Sequence, residues 1–383
     1  MTVLNYGMIG CGMMGQEHIK NIKLLENTRV AAIFEPDHSM AIAAKKLAPE
    51  AEFEPSIETL LGRNDLDCLV IVSPNFLHAQ QLKLIASLNP LPILVEKPLI
   101  TNPRDATLIN ELSKNYPKPI WVAMEYRYMP PVAKLINEAN ALSGGVKLLT
   151  IKEHRFPFLE KVNDWNRFNE NSGGTFVEKC CHFFDLMRLI MKSEPIRIMA
   201  SAGQANNHLE EKYNGRTPDI WDNGYVIVDF ASGSRAMLEL CMFAEGSTYQ
   251  EEISAVGVEC KVECFVPGPH RFWPEHLGQA PTPKVVVSPR APKSPQTLEI
   301  PVDATLLQAG DHNGSTFYQH QKFQQVVLGK MQPEVSLSDG LIAVQMGMAA
   351  QESASQSRII HFSTSNNIAK SPKSAIKPYK FTK

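Results

Sequence analysis

The stretch Val3-Leu4-Asn5-Tyr6-Gly7-Met8-Ile9-Gly10-Cys11-Gly12-Met13-Met14-Gly15 decides the fold of the 383-residue chain. Asn5–Ile9 reads as a strand and Gly15–Leu25 as a helix. Between them, Gly10, Gly12 and Gly15 stand at the spacing G-x-G-x-x-G. Strand, glycine turn and helix in that order make a dinucleotide site. Gly10 permits the tight turn, Gly12 lets backbone approach a pyrophosphate, and Gly15 lets the helix pack on the strand. The first helical amides, at Met13 and Met14, then face the phosphates together with the positive end of the helix dipole.

The second strand, Val30–Phe34, runs into Glu35, 20 residues beyond Gly15. An acid at that distance meets the adenosine ribose hydroxyls. A carboxylate there accepts a hydrogen bond from a 2′-hydroxyl and repels a 2′-phosphate. Asp37 adds negative charge, and no arginine stands beside the pair. The expected cofactor is therefore NAD, with NADP as the alternative. The competing reading of Glu35 is an acid that merely ends its strand and points to solvent.

Outward from this motif, short apolar runs alternate with helical patterns. Further strands are expected at Cys68–Val72, Ile93–Val95 and Ile120–Ala123, separated by helices at Ser39–Leu47, Ile57–Leu61, His78–Leu88 and Asn102–Asn115. Continuous apolar strands between helices indicate a parallel sheet covered on both faces. After Glu125 the pattern changes to strands mostly joined by turns: Lys147–Glu153, Ile196–Ala202, Gly224–Phe230, Ser234–Leu240, Glu251–Ala255 and Lys261–Val266. Gly233 sits in a tight turn between two of them, a hairpin signal. Helices are expected at Pro131–Leu142, Phe176–Met191, Ser315–Leu328 and Ser338–Ser355. The fold class is α/β: an N-terminal Rossmann domain with a parallel sheet (1–125), then an α+β domain on a mostly antiparallel open sheet (126–362). Residues 267–301 read as a long surface excursion, and the Ser-, Asn- and Lys-rich residues 363–383 as a disordered tail.

The bulk numbers leave this reading intact. Charged residues make up 20% and the formal net charge is −2, so no global field favours nucleic acid or a membrane surface. No apolar run approaches the roughly 18 residues of a membrane span. The N-terminus does not read as a signal peptide, and the odd count of 7 cysteines fits reduced thiols. A cytoplasmic protein is expected, with no bound metal. Cys180, Cys181 and His182 with Cys260 and Cys264 lack the tight Cys-x-x-Cys knuckle of a zinc site.

Two further motifs follow strands of the first half: Ser73-Pro74-Asn75-x-x-His78 and Glu96-Lys97-Pro98. Together with Gly10–Gly15 they resemble the Gfo/Idh/MocA oxidoreductase family. In the second half, Gly173-Gly174-Thr175-Phe176-Val177-Glu178-Lys179-Cys180-Cys181-His182-Phe183-Phe184-Asp185 is similar to that family's G-G-x-x-x-D-x-G-x-H-x-x-D helix. Four motifs in this order are far more specific than any one alone. The resemblance implies transfer of a hydride between a nicotinamide cofactor and a secondary alcohol of a sugar, an inositol-like cyclitol or a related polyol.

It also implies that Lys97 stands where nicotinamide and substrate meet. An ammonium there can stabilise developing negative charge on the reacting oxygen. His182 becomes the general base, a role that suits its near-neutral titration. Glu178 lies four residues earlier, on the same helical face, and Asp185 three residues later, where it could orient the imidazole. The family has aspartate where this chain has Glu178 and glycine where it has Cys180. Glu178 has a second reading, because Thr175-x-x-Glu178 fits a helix capping box.

Other substrate-side candidates are Arg127, Trp165 and Asn166. Arg127 could bind polar substrate groups or pair with Glu125. Trp165 could stack on a sugar's C–H face or simply anchor its loop. His312 and Asn313 are candidates for the far wall. A homodimer or homotetramer is expected, as in relatives. Two rival functions remain at this stage: a non-catalytic cofactor sensor or transcriptional regulator on the same fold, and an NAD-dependent glycoside hydrolase.

Overall fold

The computed structural model describes residues 3–142 and 144–362, so the expected disorder of 363–383 lies outside the described residues. The first half begins with β1 (Leu4–Ile9), α1 (Met13–Leu24), β2 (Thr28–Phe34), α2 (His38–Leu47), β3 (Glu52–Phe53) and α3 (Ile57–Leu61). It continues with β4 (Cys68–Ile71), α4 (His78–Leu88), β5 (Ile93–Val95), α5 (Ala106–Asn115) and β6 (Ile120–Val122). The six strands form one parallel sheet in the order β3-β2-β1-β4-β5-β6. Strands β4, β5 and β6 are buried throughout, which is why they read as unbroken apolar runs. The chain reverses direction across the sheet between β1 and β4, and a crevice at such a switch point takes the ligand.

The second half contains α6 (Pro130–Asn140), β7 (Leu148–His154), α7 (Asn169–Ser172), α8 (Thr175–Glu178), α9 (Cys181–Met191), β8 (Pro195–Gly203), β9 (Asn223–Phe230) and β10 (Arg235–Cys241). Then come β11 (Glu251–Val256), β12 (Cys260–Val266), β13 (Lys284–Pro289), β14 (Gln296–Glu299), α10 (Ala304–Ala309), α11 (Ser315–Val327), α12 (Leu337–Gln356) and β15 (Ile360–His361). Nine strands form one sheet in the order β14-β13-β12-β11-β7-β10-β9-β8-β15. Only β7 and β10 pair in parallel. Burial alternates along β7, β10 and β11, so one face packs on helices while the other is open and exposes Leu148, Tyr225 and Ile227. Gly233, at φ +81°, makes the β9–β10 hairpin turn as read from sequence.

Two sequence expectations need correction. Residues 267–301 are not simply a surface excursion, because β13 and β14 lie within them and extend the sheet beyond β12. Prolines at both ends of this segment hid a weak, partly exposed edge pair. The expected helix Phe176–Met191 is broken into α8 and α9 at Lys179–Cys180. The Glu178 carbonyl accepts from Lys97 Nζ at 3.3 Å and from the Cys181 thiol at 3.7 Å. Glu178 and His182 therefore do not share one continuous helical face.

Helix α12 joins the two halves. It packs on α5 and β6 of the first half and on α8, α9 and β8 of the second. At Gly347 a Cβ would stand 2.5 Å from the Phe176 carbonyl oxygen, so only glycine lets α8 sit this close.

Candidate active site at the switch-point cleft

The cofactor side is built from loops at the carboxyl ends of β1, β2, β4 and β5. Gly10 takes φ +90°, and a Cβ there would meet Val72 and Ser73 backbone at 2.8 Å. Gly12 caps α1 without any side-chain hydrogen bond, and a Cβ on it would meet nothing within 4 Å. An open approach to bare helix amides is what a pyrophosphate requires, so this loop fits a dinucleotide. Glu35 does not point away into solvent. Its carboxylate accepts from the Cys11 amide at 2.6 Å and the Asp37 amide at 2.8 Å, which fixes it against the glycine loop. Asp37 is occupied as the cap of α2, accepting from the Ser39 and Met40 amides.

His78 is buried and bridges the Ser73 carbonyl at 3.0 Å and the Pro98 carbonyl at 2.9 Å. It braces the two motif loops against each other. Ser73 Oγ donates to Gln81 at 2.6 Å, and Pro74 leads into a short turn from Asn75, whose buried side-chain amide nitrogen has no partner among the described residues. Glu96 pairs with His18 at 3.0 Å and accepts from the Lys97 amide at 3.1 Å. The Lys97–Pro98 peptide is cis.

These loops open onto a cleft of about 750 Å³, part of it open to solvent, that lies between the two halves. Lys97, Glu178, His182 and Asn166 line it, with Met13 and Met14 on the cofactor side. His182 stacks on Tyr126, with ring centroids 4.2 Å apart and planes 8° from parallel. No described residue bonds its ring nitrogens, and Nδ1 is buried. Burial, and then the charges of Lys97, Lys179, His312 and Arg155, hold its pKa well below the ordinary histidine value. It is a neutral imidazole with a lone pair to offer. Lys97 stays charged: burial opposes this, but Cys181, Glu96, Glu178 and Glu125 outweigh it and raise its pKa.

Glu178 does not close a capping box. Gly174 is the N-cap of α8, and Thr175 Oγ1 instead donates to the Trp221 carbonyl at 2.6 Å. Glu178 Oε2 is buried without a partner among the described residues, and burial raises its pKa although Lys97 and Lys161 oppose the shift. An unpaired buried carboxylate oxygen at a cleft awaits a donor from a ligand.

Three expected substrate residues fall elsewhere. Arg127 and Asp185 bind each other through a bidentate pair at 2.5 Å, and neither lines the cleft. Asp185 therefore does not orient His182, and Arg127 does not pair with Glu125. Trp165 lies outside the cleft lining, edge-on to Phe76 at 6.2 Å between centroids. Asn166 does reach the cleft, with its amide held by the Leu159 carbonyl at 3.0 Å.

Sequence reasoning missed Tyr126, Arg155, Lys161 and Lys179, which also line the cleft. Lys179 lies inside the Gly173–Asp185 motif at a position to which no role was given, and no local motif marks the other three. His312 does stand at the far wall. It binds Glu17 at 3.0 Å and lies 3.5 Å from Glu125. Burial alone would lower its pKa, but Glu125 and Glu17 raise it to about 9. These three side chains come close enough together to hold a cation, but a protonated imidazole has no lone pair with which to ligate one.

The parallel sheet, the glycine loop and the switch-point cleft define an oxidoreductase with an NAD-binding Rossmann domain. The chain belongs to the Gfo/Idh/MocA oxidoreductase family: residues 4–124 match its NAD-binding Rossmann fold and 143–362 its C-terminal alpha/beta domain. It is 24% identical over 244 residues to the rhizopine catabolism protein MocA of Rhizobium meliloti, covering 63% of this chain and 72% of that protein. It is 28% identical over 198 residues to an inositol 2-dehydrogenase of Corynebacterium glutamicum, covering 51% of this chain and 56% of that enzyme. The chain thus spans only about half the length of that second relative. The crystal structure of myo-inositol 2-dehydrogenase from Lactobacillus plantarum shares the fold, with TM-score 0.71 and 18% identity, covering 94% of this chain and 100% of that one. Among the described residues, no helix is long and apolar enough to cross a membrane.

Proposed function

We propose that the chain interconverts a secondary alcohol and a ketone on a sugar, a cyclitol or a related polyol, with NAD preferred over NADP. The observation that carries this reading is the convergence of Lys97, Glu178 and His182 on the cleft beside the dinucleotide loop. The nicotinamide, when bound, accepts or returns the hydride. Neutral His182 takes the hydroxyl proton as the C–H bond breaks. Lys97 Nζ donates to the oxygen as its negative charge develops. Glu178 Oε2 accepts from a neighbouring substrate hydroxyl. Phe156 and Phe158 line the same cleft and give an apolar surface for the C–H face of a ring.

Glu35 supports the cofactor preference, because a carboxylate fixed at the glycine loop repels a 2′-phosphate. The division at about residue 125 is likewise part of the proposal, as is a homodimer or homotetramer joined through the open sheet face with Leu148, Tyr225 and Ile227. The test is NADH formation, followed by absorbance, across a panel of aldoses, cyclitols and their acids. We expect turnover of at least one polyol with NAD. Failure of every member with both cofactors would overturn the proposal.

A further inference from the structure

The cleft holds more positive charge than its own carboxylates neutralise. Arg155 lies 3.5 Å from Glu153, and Lys179 lies 2.8 Å from the same acid, which faces Glu251 across β7 and β11. These two cations and two acids balance. Of the remaining two ammonium groups on the lining, Lys97 donates to the Glu178 carbonyl and has Glu96, Glu178 and Glu125 to favour its charge, whereas Lys161 has only the more distant charges of Glu178 and Glu96 among its main influences. Lys161 is partly buried, and while its carbonyl accepts from the Asp164 amide at 2.9 Å, its ammonium makes no hydrogen bond or ion pair with any described residue. Burial, and then Lys97 and Arg155, lower its pKa against the opposing charges of Glu178 and Glu96. A cation withdrawn from water without a partner is costly.

The loop that carries Lys161 is held in place. The Asn166 amide and Arg167 Nη1 both donate to the Leu159 carbonyl, at 3.0 and 3.5 Å. Asn163 and Asp164 adopt φ of 56° and 50°, a strained choice for non-glycine residues that persists only where the surroundings impose it. A pinned loop presents an unpaired ammonium to the cleft, close enough to Glu178 and Lys97 for their charges to be felt. Arg155 adds a guanidinium, of which Nε is engaged by the Phe156 carbonyl and Nη1 lies near Glu153. The dinucleotide phosphates have their own seat at the start of α1, so Lys161 is left for the substrate.

We propose that the substrate polyol carries an oxyanion group, such as the carboxylate of a uronic acid, and that Lys161, assisted by Arg155, receives it. This rests on the polyol reading above and narrows it from neutral polyols to acidic ones. Charge-assisted hydrogen bonds to an oxyanion are about twice as strong as neutral ones.

The test uses the full-length protein loaded with NADH and measures binding by calorimetry at low salt. The probes are glucuronate against glucose, galacturonate against galactose, and glucose 6-phosphate against glucose. At least one anionic member should bind about tenfold or more tightly than its neutral partner. Which member wins tells a carboxylate from a phosphate. The ratio should fall toward one in Lys161→Met, persist in Lys161→Arg, and shrink as salt rises. Equal or weaker binding of every anionic probe overturns the inference, as does an unchanged ratio in Lys161→Met. NADH formation from neutral polyols with no acid preference would sink this inference and leave the proposed function standing. Acid-selective binding without NADH formation would do the reverse.

Discussion

In the Rossmann half, the motif side chains lean on the chain's own backbone. His78 ties the Ser73 and Pro98 carbonyls together, Glu96 holds His18 and the Lys97 amide, and Glu35 clamps the glycine loop. In the second half, Glu178 Oε2, His182 Nδ1 and the Lys161 ammonium have no partner within the described residues. Buried polar groups are normally satisfied, so exceptions mark either strain or a waiting ligand. The difference teaches that the cofactor side is preorganised by internal bonds, while the substrate side keeps its bonding capacity in reserve. Asn75, with its unpartnered buried amide, is the exception on the cofactor side.

The largest effect should come from the reserved side. His182→Ala should lower kcat by about 10²–10⁴-fold, the usual contribution of a general base. NAD affinity and melting temperature should change little. The pH profile of the wild-type enzyme sharpens this further. Because burial and nearby cations depress His182, the base is already free at neutral pH. The acid limb of kcat/KM should therefore lie below 6.5, the ordinary histidine value, and vanish in the variant. A folded variant with near wild-type kcat would show that another group takes the proton.

Glu178→Gln should cost about tenfold or more in kcat/KM while changing the melting temperature little, since no cap is lost and relief of an unpaired buried carboxylate offsets the counter-charge lost to Lys97 and Lys161. A clear fall in melting temperature with activity retained would move Glu178 to the self-satisfied side of the comparison.

Glu35→Ser should shift the ratio of kcat/KM for NAD over NADP toward NADP by about tenfold, because the fixed carboxylate that repels a 2′-phosphate is gone. No change in the ratio would mean that Glu35 serves only the loop.

The smallest effect tests a bond between the halves. Burial raises the pKa of Glu17, but His312, Thr316 and the Asp311 amide bring it down to about 2. The Glu17 share of stability is present above pH 4.5 and lost as pH falls toward 2. The His312 share is present below 6.5 and lost as pH rises through about 9. His312→Gln should therefore lower the melting temperature most between pH 4.5 and 6.5, with the deficit shrinking above 9. A deficit independent of pH would reduce His312 to a packing residue.

Much of this was legible before any coordinates. The parallel sheet declared itself because strands buried on both faces must be apolar, and Cys68–Ile71 and Ile93–Val95 are. The glycine loop, Lys97, Glu178 and His182 were legible because each sits in a short motif of fixed spacing. The cations Arg155, Lys161 and Lys179 were not, since they meet only when β7, its following loop and α8 fold over the first half. The Arg127–Asp185 pair was misread for the same reason: 58 residues separate the two side chains. Sequence periodicity also carried Phe176–Met191 through as one helix. At the break, the Glu178 carbonyl accepts from Lys97, 81 positions away, a contact no periodicity records.

Gly347 carries a consequence for how such a protein diversifies. Its missing Cβ leaves 2.5 Å to the Phe176 oxygen, and that segment holds Glu178. A drift to alanine there would push on backbone that cannot yield, at about 1–3 kcal/mol. It would also displace the catalytic segment without altering any group a substrate meets. Lineages exploring new substrates can revise the loop around Lys161 one side chain at a time. At Gly347 of α12, by contrast, any side chain must first displace the backbone that carries Glu178.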